Sequence, residues 1–168
     1  MASNIQPIQL ANTVGTWADG YTFAFPEGGS QSFLLGMPLT ITSGLAVILA
    51  STTTAAIAGI SCAKATGTTG SATNKNCQMQ LVLPSTIWLV SVDTTFTTAN
   101  PAPGTGKPSD FTIGTSYSLC VDSTSGLACM TTGTGNPVFQ YLGADPTQNS
   151  VINGRAYVRI LTSQTFWT

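Results

Sequence analysis

Residues 117–132 read YSLCVDSTSGLACMTT and contain two short apolar segments separated by a cluster of turn-forming residues. Val, Thr and Tyr favour strands, whereas Ser, Asp and Gly are frequent in turns. A four-residue loop at 123–126 places Cys120 opposite Cys129 on two antiparallel strands. The stretch therefore predicts a β-hairpin.

Segments of the same kind recur along the chain, and each is bounded by Gly, Pro, Ser or Thr. They lie at 33–41, 45–50, 55–62, 77–83, 87–92, 111–122, 127–132, 138–142 and 155–161. Residues 21–25 (YTFAF) alternate apolar and small side chains with the period of a half-buried strand. These patterns predict an all-β fold, a small β-barrel or sandwich that is β-tulip-like, and we recognise no internal repeat among them.

The composition indicates a protein that packs and binds rather than one that catalyses a reaction. Charged residues make up 7% of the 168 residues and histidine is absent, whereas an ordinary domain carries about 25% charged residues. Ser61-x-x-Lys64 matches one catalytic string and 104–107 (GTGK) matches part of a phosphate loop, but the partner motifs of both are missing. The six carboxylates are scattered at turns. We expect no enzyme activity, no cofactor and no metal.

The charge distribution and the hydropathy also limit the partners. Five Lys and Arg are spread from Lys64 to Arg159, so no basic patch forms and nucleic acid is not an expected partner. The apolar run at 45–49 is far too short for a membrane helix, and no positive signal-peptide region precedes it. Low surface charge predicts that part of the surface is hidden in an assembly.

The N-terminal region differs from the rest of the chain. Ile5, Ile8, Leu10 and Trp17 are isolated among polar residues, too sparse to fold alone. We interpret 1–31 as an extended arm that becomes ordered against a partner or the domain body, followed by a single β domain at 32–168. A frayed terminus is the alternative. The loops at 66–75 and 99–110, rich in turn formers, are expected to be exposed.

The four cysteines fall into two pairs. Besides Cys120 and Cys129, the same count about the loop at 66–73 places Cys62 opposite Cys77. Facing Cβ atoms on paired strands permit a disulfide, so both pairs are possible disulfides. Reduced, half-buried thiols are the alternative, and neither pair has metal-ligand spacing.

The C-terminal third carries a more specific ordered pattern. Its segments are 117–119 (YSL), the hairpin with Gly126, 131–133 (TTG), 138–142 (VFQYL), 145–146 (DP) and 154–161 (GRAYVRIL). Upstream, 33–37 (FLLGM), 57–60 (IAGI) and 83–86 (LPST) fit the same pattern. Over about residues 32–162 the chain resembles small structural proteins of tailed phages that are encoded near the capsid genes.

The resemblance implies a capsid decoration, or cement, protein: a barrel-like all-β body, often a homotrimer, on the outer capsid surface of the virion. Such a protein, made in the host cytoplasm, clamps neighbouring subunits of the major capsid protein lattice after the shell expands. We expect the contacts to come from six apolar residues: Ile5, Ile8, Leu10, Trp17, Phe166 and Trp167. Phe166 and Trp167 are either a second anchor or a cap on the barrel.

Two other functions remain open at this level. One is a host-surface or glycan-binding module of a phage fibre, in which Trp17, Trp88, Tyr141 or Trp167 would stack on sugar rings. The other is a tail-tube subunit. The sequence of 87–90 (IWLV) predicts that Trp88 is buried, which disfavours the first of these.

Overall fold

The computed structural model describes residues 5–11, 22–49, 55–66, 72–94, 105–122, 125–133 and 135–167. Apart from two three-residue 3-10 helices, Pro108–Asp110 and Thr162–Gln164, the regular structure of these residues is strand, which confirms the predicted all-β fold. The strands are β1 (Gln9–Leu10), β2 (Thr22–Glu27), β3 (Pro38–Thr42), β4 (Leu45–Ile48), β5 (Gly59–Ser61), β6 (Ala72–Leu81), β7 (Ile87–Asp93), β8 (Ser116–Val121), β9 (Ala128–Thr131), β10 (Pro137–Ala144) and β11 (Arg155–Ile160).

The strands β2 to β6 close into a barrel in the order β2-β4-β3-β5-β6, which we call the first ring. Four of its pairings are antiparallel. The parallel pairing of β2 with β4, at Glu27 and Ala46, closes it. Closure removes the unpaired edges that an open sheet of these strands would present.

The strands β7 to β11 form a second ring in the order β7-β11-β10-β8-β9. Here too, one parallel pairing closes the ring, between β7 and β9 at Val92–Met130 and Asp93–Thr131. The short strand β1 pairs with the N-terminal half of β7, on the edge that β9 uses further along.

The two rings have the same topology. In each, the first strand pairs in parallel with the third, the third with the second, the second with the fourth, the fourth with the fifth, and the fifth with the first. The expectation that the chain holds no internal repeat is therefore wrong.

Two short motifs mark the repeat in the sequence. Phe-x-x-Gly occurs at 33–36 and 111–114, before the second strand of each ring, and Thr-Ser-Gly-Leu-Ala occurs at 42–46 and 124–128. The spacing between the two motifs differs by four residues, because β8 and its hairpin loop are longer than β3 and its loop. This insertion and the different loop sequences hide the repeat from a search at one fixed period.

One continuous apolar cluster spans both rings. Its largest fully buried members include Phe33 and Met79 from the first ring and Trp88 and Phe139 from the second. Full burial of side chains of this size contributes roughly 1.5–3 kcal/mol each to the stability of the folded chain. The predicted burial of Trp88 is confirmed.

Three predictions need correction. β2 is an integral strand of the first ring, paired with β6 over its whole length, so an arm that reaches residue 31 is wrong. In the loop at 99–110, Gly106 and Pro108 are buried, because Gly106 lies against the backbone of Asp93 and Thr94. Residues 99–104 lie outside the described residues. The strand β6 starts at Ala72, inside the loop predicted at 66–75.

Candidate interaction surface

The N-terminal segment 5–11 is bound to the second ring by its backbone. Gln9 pairs with Leu89 and Leu10 with Trp88 in antiparallel register. The Ala11 N–H donates to the Ile87 carbonyl at 2.9 Å. The segment therefore adds a strand to β7 of its own chain, by the backbone pairing that strand addition uses between molecules.

The apolar side chains of this segment are buried in the same molecule. Ile5 packs against Cys120 and Cys129, Ile8 belongs to the main core, and Leu10 packs against that core. Ile5 and Ile8, predicted to contact the capsid or a neighbouring subunit, are instead covered by the molecule's own side chains. The predicted anchor Trp17 lies outside the described residues.

The C-terminal residues lie on the first ring. Ile57 N–H donates to Gln164 C=O at 2.7 Å, and Phe166 N–H donates to Ile57 C=O at 2.9 Å. The Trp167 indole N–H donates to Ala58 C=O at 2.6 Å, and its ring lies 6.0 Å from that of Phe25. Trp167 thus caps the first ring, whereas Phe166 remains 40% exposed.

Large apolar side chains are exposed at several other positions that sequence reasoning missed. Together with Phe166 they are Phe23, Leu34, Leu35, Ile113, Leu142, Val151 and Ile152. Ile113 is the most exposed of these at 70%, and Leu35 is 51% exposed. The signal that identifies these two is their place in the repeated Phe-x-x-Gly motif, immediately before the glycine.

Leu35 and Ile113 occupy turns of the same construction. In the first ring the Gly36 N–H donates to Ser61 C=O and the Ser61 N–H donates to Met37 C=O, both at 2.9 Å. In the second ring the corresponding bonds are Gly114 to Tyr141 at 2.8 Å and Tyr141 to Thr115 at 3.0 Å. The two glycines have φ of 77° and 83°, the left-handed region that glycine adopts without strain.

A buried phenylalanine anchors each turn three residues before its glycine. Phe33 and Phe111 are both part of the core. Phe111 also stacks edge-to-face on Tyr117 with ring centroids 4.9 Å apart. Leu35 and Ile113 are therefore held outward on anchored turns, an arrangement suited to contact with another molecule.

The cysteines follow the sequence prediction in one pair only. Cys120 faces Cys129 as predicted, with Cα atoms 5.2 Å apart, and the two form a disulfide. Cys62 and Cys77 are free. The prediction that they face each other is wrong by one residue, because Ser61 pairs with Met79 and side chains one position apart on a strand point to opposite faces.

The two free thiols differ in exposure and both are hard to ionise. Burial raises the pKa of Cys77 to about 11, with the Glu27 carboxylate and the Cys62 thiol contributing. Burial also raises the pKa of the exposed Cys62 thiol, an effect partly offset by a hydrogen bond to the Gln80 backbone. Such thiols hold little of the reactive thiolate at neutral pH.

Four carboxylates accept hydrogen bonds from loops and turns. Glu27 accepts from the backbone and hydroxyl of Thr66, all at 3.1 Å. The other three accept from residues within three positions: Asp110 from Lys107, Asp122 from Ser125, and Asp145 from Thr147. The backbone and hydroxyl bonds from Thr147 lower the pKa of Asp145. These carboxylates hold backbone in place.

The candidate catalytic serine also has a structural contact. The Ser61 hydroxyl donates to Leu34 C=O at 2.6 Å and accepts from the Met37 N–H at 2.9 Å, so it stabilises the turn that carries Leu35. Within the part of the chain that the structure describes, no three His, Cys, Asp or Glu side chains converge in a way that could hold a metal ion.

Comparison with known proteins gives no assignment. No family model matches the chain, and no curated protein and no solved structure matches it significantly. Among the described residues, no helix combines the length and the apolar character needed to cross a bilayer.

Proposed function

We propose that this chain is a virion structural protein that decorates the outer surface of a phage capsid and stabilises the expanded shell by clamping neighbouring subunits of the major capsid protein. It would be made in the host cytoplasm and act as a homotrimer. The ordered motifs between residues 32 and 162 first suggest this function, and the duplicated rings supply a way to perform it.

The observation that carries the proposal is the repeat of one contact element on a single molecule. Each ring holds a large apolar side chain outward on an anchored turn, Leu35 in the first and Ile113 in the second. A clamp must touch two copies of a repeating lattice, and many weak repeated contacts add up through effective concentration. Two like surfaces on one chain meet that requirement.

The remaining chemistry of the described residues fits a protein that binds. The formal net charge is −1, and carboxylates of both rings hold loops and turns. Three of the four aromatic side chains that a glycan site would use are engaged internally. Trp88 and Tyr141 are buried, and Trp167 donates its indole N–H to Ala58. This disfavours the glycan-binding alternative.

The test is co-sedimentation of the full-length protein with expanded shells of the major capsid protein from the same genome, stripped of accessory proteins. We expect saturable binding and a higher temperature of shell disruption. Unexpanded shells are the control, and we expect weaker binding to them. Absence of binding to expanded shells would overturn the proposal. Tubes formed by the isolated protein would instead support a tail-tube subunit.

A further inference from the structure

The turn that carries Leu35 in the first ring is covered by the N-terminal segment. Ile8 N–H donates to Gly36 C=O at 3.3 Å. A Cβ placed on Gly36 would lie 2.5 Å from Cβ of Pro7 and 2.8 Å from the Ile8 nitrogen. The extended segment 5–11 therefore lies directly on this turn, and glycine is needed there for close approach.

No described segment covers the corresponding turn of the second ring. A Cβ placed on Gly114 would have nothing within 4 Å, and Ile113 is the most exposed large apolar side chain among the described residues. Because the Gly114 N–H donates to Tyr141 C=O, the backbone of Ile113 lies close to that of Leu142, whose side chain is 36% exposed. The second ring thus has the turn without the segment that covers it.

The second contact of the N-terminal segment also has an uncovered counterpart. In the second ring, Trp88 pairs with Val158 on β11 and is buried beside Leu10 of β1. In the first ring, the residue at the same register is Phe23, which pairs with Met79 on β6. Phe23 is 50% exposed. Residues 5–11 thus cover one turn, at Gly36, and one strand position, at Trp88. Each ring has the equivalent of the surface covered in the other, and no described segment covers either equivalent.

The chemistry of the two turns differs in one respect. The Gly36 carbonyl accepts from the backbone of Ile8, whereas the Gly114 carbonyl accepts from the Gln140 side chain at 3.3 Å. The amide nitrogen of Gln140 makes that bond, and its amide oxygen accepts from the guanidinium of the exposed Arg159. Arg159 pairs with Gln140 in the second ring, and Gln80 pairs with Ile60 at the equivalent place in the first ring. The first ring therefore has a neutral residue where the second has Arg159. The uncovered turn therefore carries a cation.

We propose that the turn of the second ring is a docking site for an extended segment of the major capsid protein, as the turn of the first ring is for residues 5–11. The segment carries an apolar side chain that packs on Ile113 and Leu142. It also carries a carboxylate that pairs with Arg159 after displacing the partly buried Gln140 side chain from the guanidinium. This inference rests on the proposed function and names the contact through which it operates.

The test compares the same substitution at an exposed apolar residue of the docking site and at one outside both turns, in the shell co-sedimentation assay. I113D places a charge on the uncovered turn and should weaken binding at least tenfold, and R159E should weaken it similarly. V151D makes the matched change at an exposed apolar residue in the loop between β10 and β11, outside both turns, and should bind within about twofold of the wild type. I113L should retain binding. Circular dichroism and thermal unfolding show that each variant is folded.

The outcomes separate this inference from the proposed function. Absence of wild-type binding overturns the decoration function and this inference with it. Wild-type binding that I113D and R159E leave unchanged overturns the docking site alone. Equal losses in I113D and V151D show general apolar adhesion and also overturn it. If I113D instead dissociates a self-assembled oligomer in light scattering and leaves shell binding intact, the occupant is a second copy and the capsid segment is wrong.

Discussion

The first and second rings share a strand order but differ in what holds their parts together. The Cys120–Cys129 disulfide ties the second and third strands of the second ring. In the first ring the equivalent pair is Thr40 and Val47. Val47 follows the alanine of Thr-Ser-Gly-Leu-Ala, as Cys129 does in the second ring. Backbone pairing and ring closure set the topology of both rings, so the same strand order forms with different side chains at these positions.

The rings also differ in what covers them. Residues 5–11 lie on the turn at Gly36, whereas nothing among the described residues lies on Gly114. The same turn thus supports internal packing in one ring and an exposed surface in the other. A duplicated fold can keep one copy of a contact for stability and leave the other for a partner.

The largest expected effect is the loss of stability when the phenylalanine that anchors each turn is truncated, and comparing the two losses shows whether both rings depend on it equally. F33A and F111A should each lower the free energy of unfolding by about 3–5 kcal/mol, because each removes a buried ring and leaves a cavity. Urea denaturation measures both, with F33L and F111L as milder controls. A negligible loss in F111A would show that the turn of the second ring is not anchored as in the first.

The disulfide gives the next largest difference. Replacing both cysteines, C120A with C129A, should lower the free energy of unfolding by about 2–3 kcal/mol, because the unfolded chain regains the freedom of a loop spanning nine residues. Urea denaturation with and without reductant measures this loss. Reductant should not affect the double variant.

A disulfide introduced at the equivalent pair should also stabilise the first ring. T40C with V47C should form a disulfide on oxidation and raise the free energy of unfolding by about 2 kcal/mol. Thiol titration checks bond formation. Failure to oxidise would mean that the two hairpins are less alike than their register indicates.

The glycines of the two turns should respond differently to the same change. Both have positive φ, so an alanine costs about 1–2 kcal/mol in either. At Gly36 the added Cβ also displaces Pro7 and the Ile8 hydrogen bond, which costs about another 1 kcal/mol. Thermal unfolding of G36A and G114A measures the difference, and equal losses would contradict the close approach of the N-terminal segment.

The smallest effect concerns the carboxylates that hold the loop between the fourth and fifth strands, Glu27 in the first ring and Asp145 in the second. The folded-state pKa of Asp145 is lowered, so its stabilisation is present above the unfolded value near pH 4 and is lost as the pH falls below it. D145N should be less stable than the wild type at pH 6, and the difference should shrink as the pH falls through the lowered folded-state pKa of Asp145. E27Q, at a buried site, should cost more than D145N at pH 6.

Several features followed directly from local sequence. The hairpin at 117–132, its register and the facing of Cys120 and Cys129 came from turn residues and alternation, which act within a few positions. The strand positions and the burial of Trp88 followed in the same way. The register of Cys62 did not, because its hairpin loop is long and gives no fixed count.

The candidate site was largely beyond such reasoning. Ile5, Ile8 and Ile113 are all apolar residues in polar surroundings, and the sequence gives no indication of which of them the chain covers itself. The Phe-x-x-Gly motif links Ile113 to Leu35 in the sequence, but only the hydrogen bonds show that their turns are built alike and that both side chains are held outward.

The sequence by itself determined that this protein is all-β, where most strands lie and which residues one hairpin brings together, because alternation and turn chemistry are local. Only the tertiary structure decided the closure of the two rings, their common topology and the burial of residues 5–11. These depend on pairings between residues far apart, such as Leu10 with Trp88 and Val92 with Met130. No local pattern specifies a distant partner, because the same apolar side chain is stabilised by any surface that removes it from water.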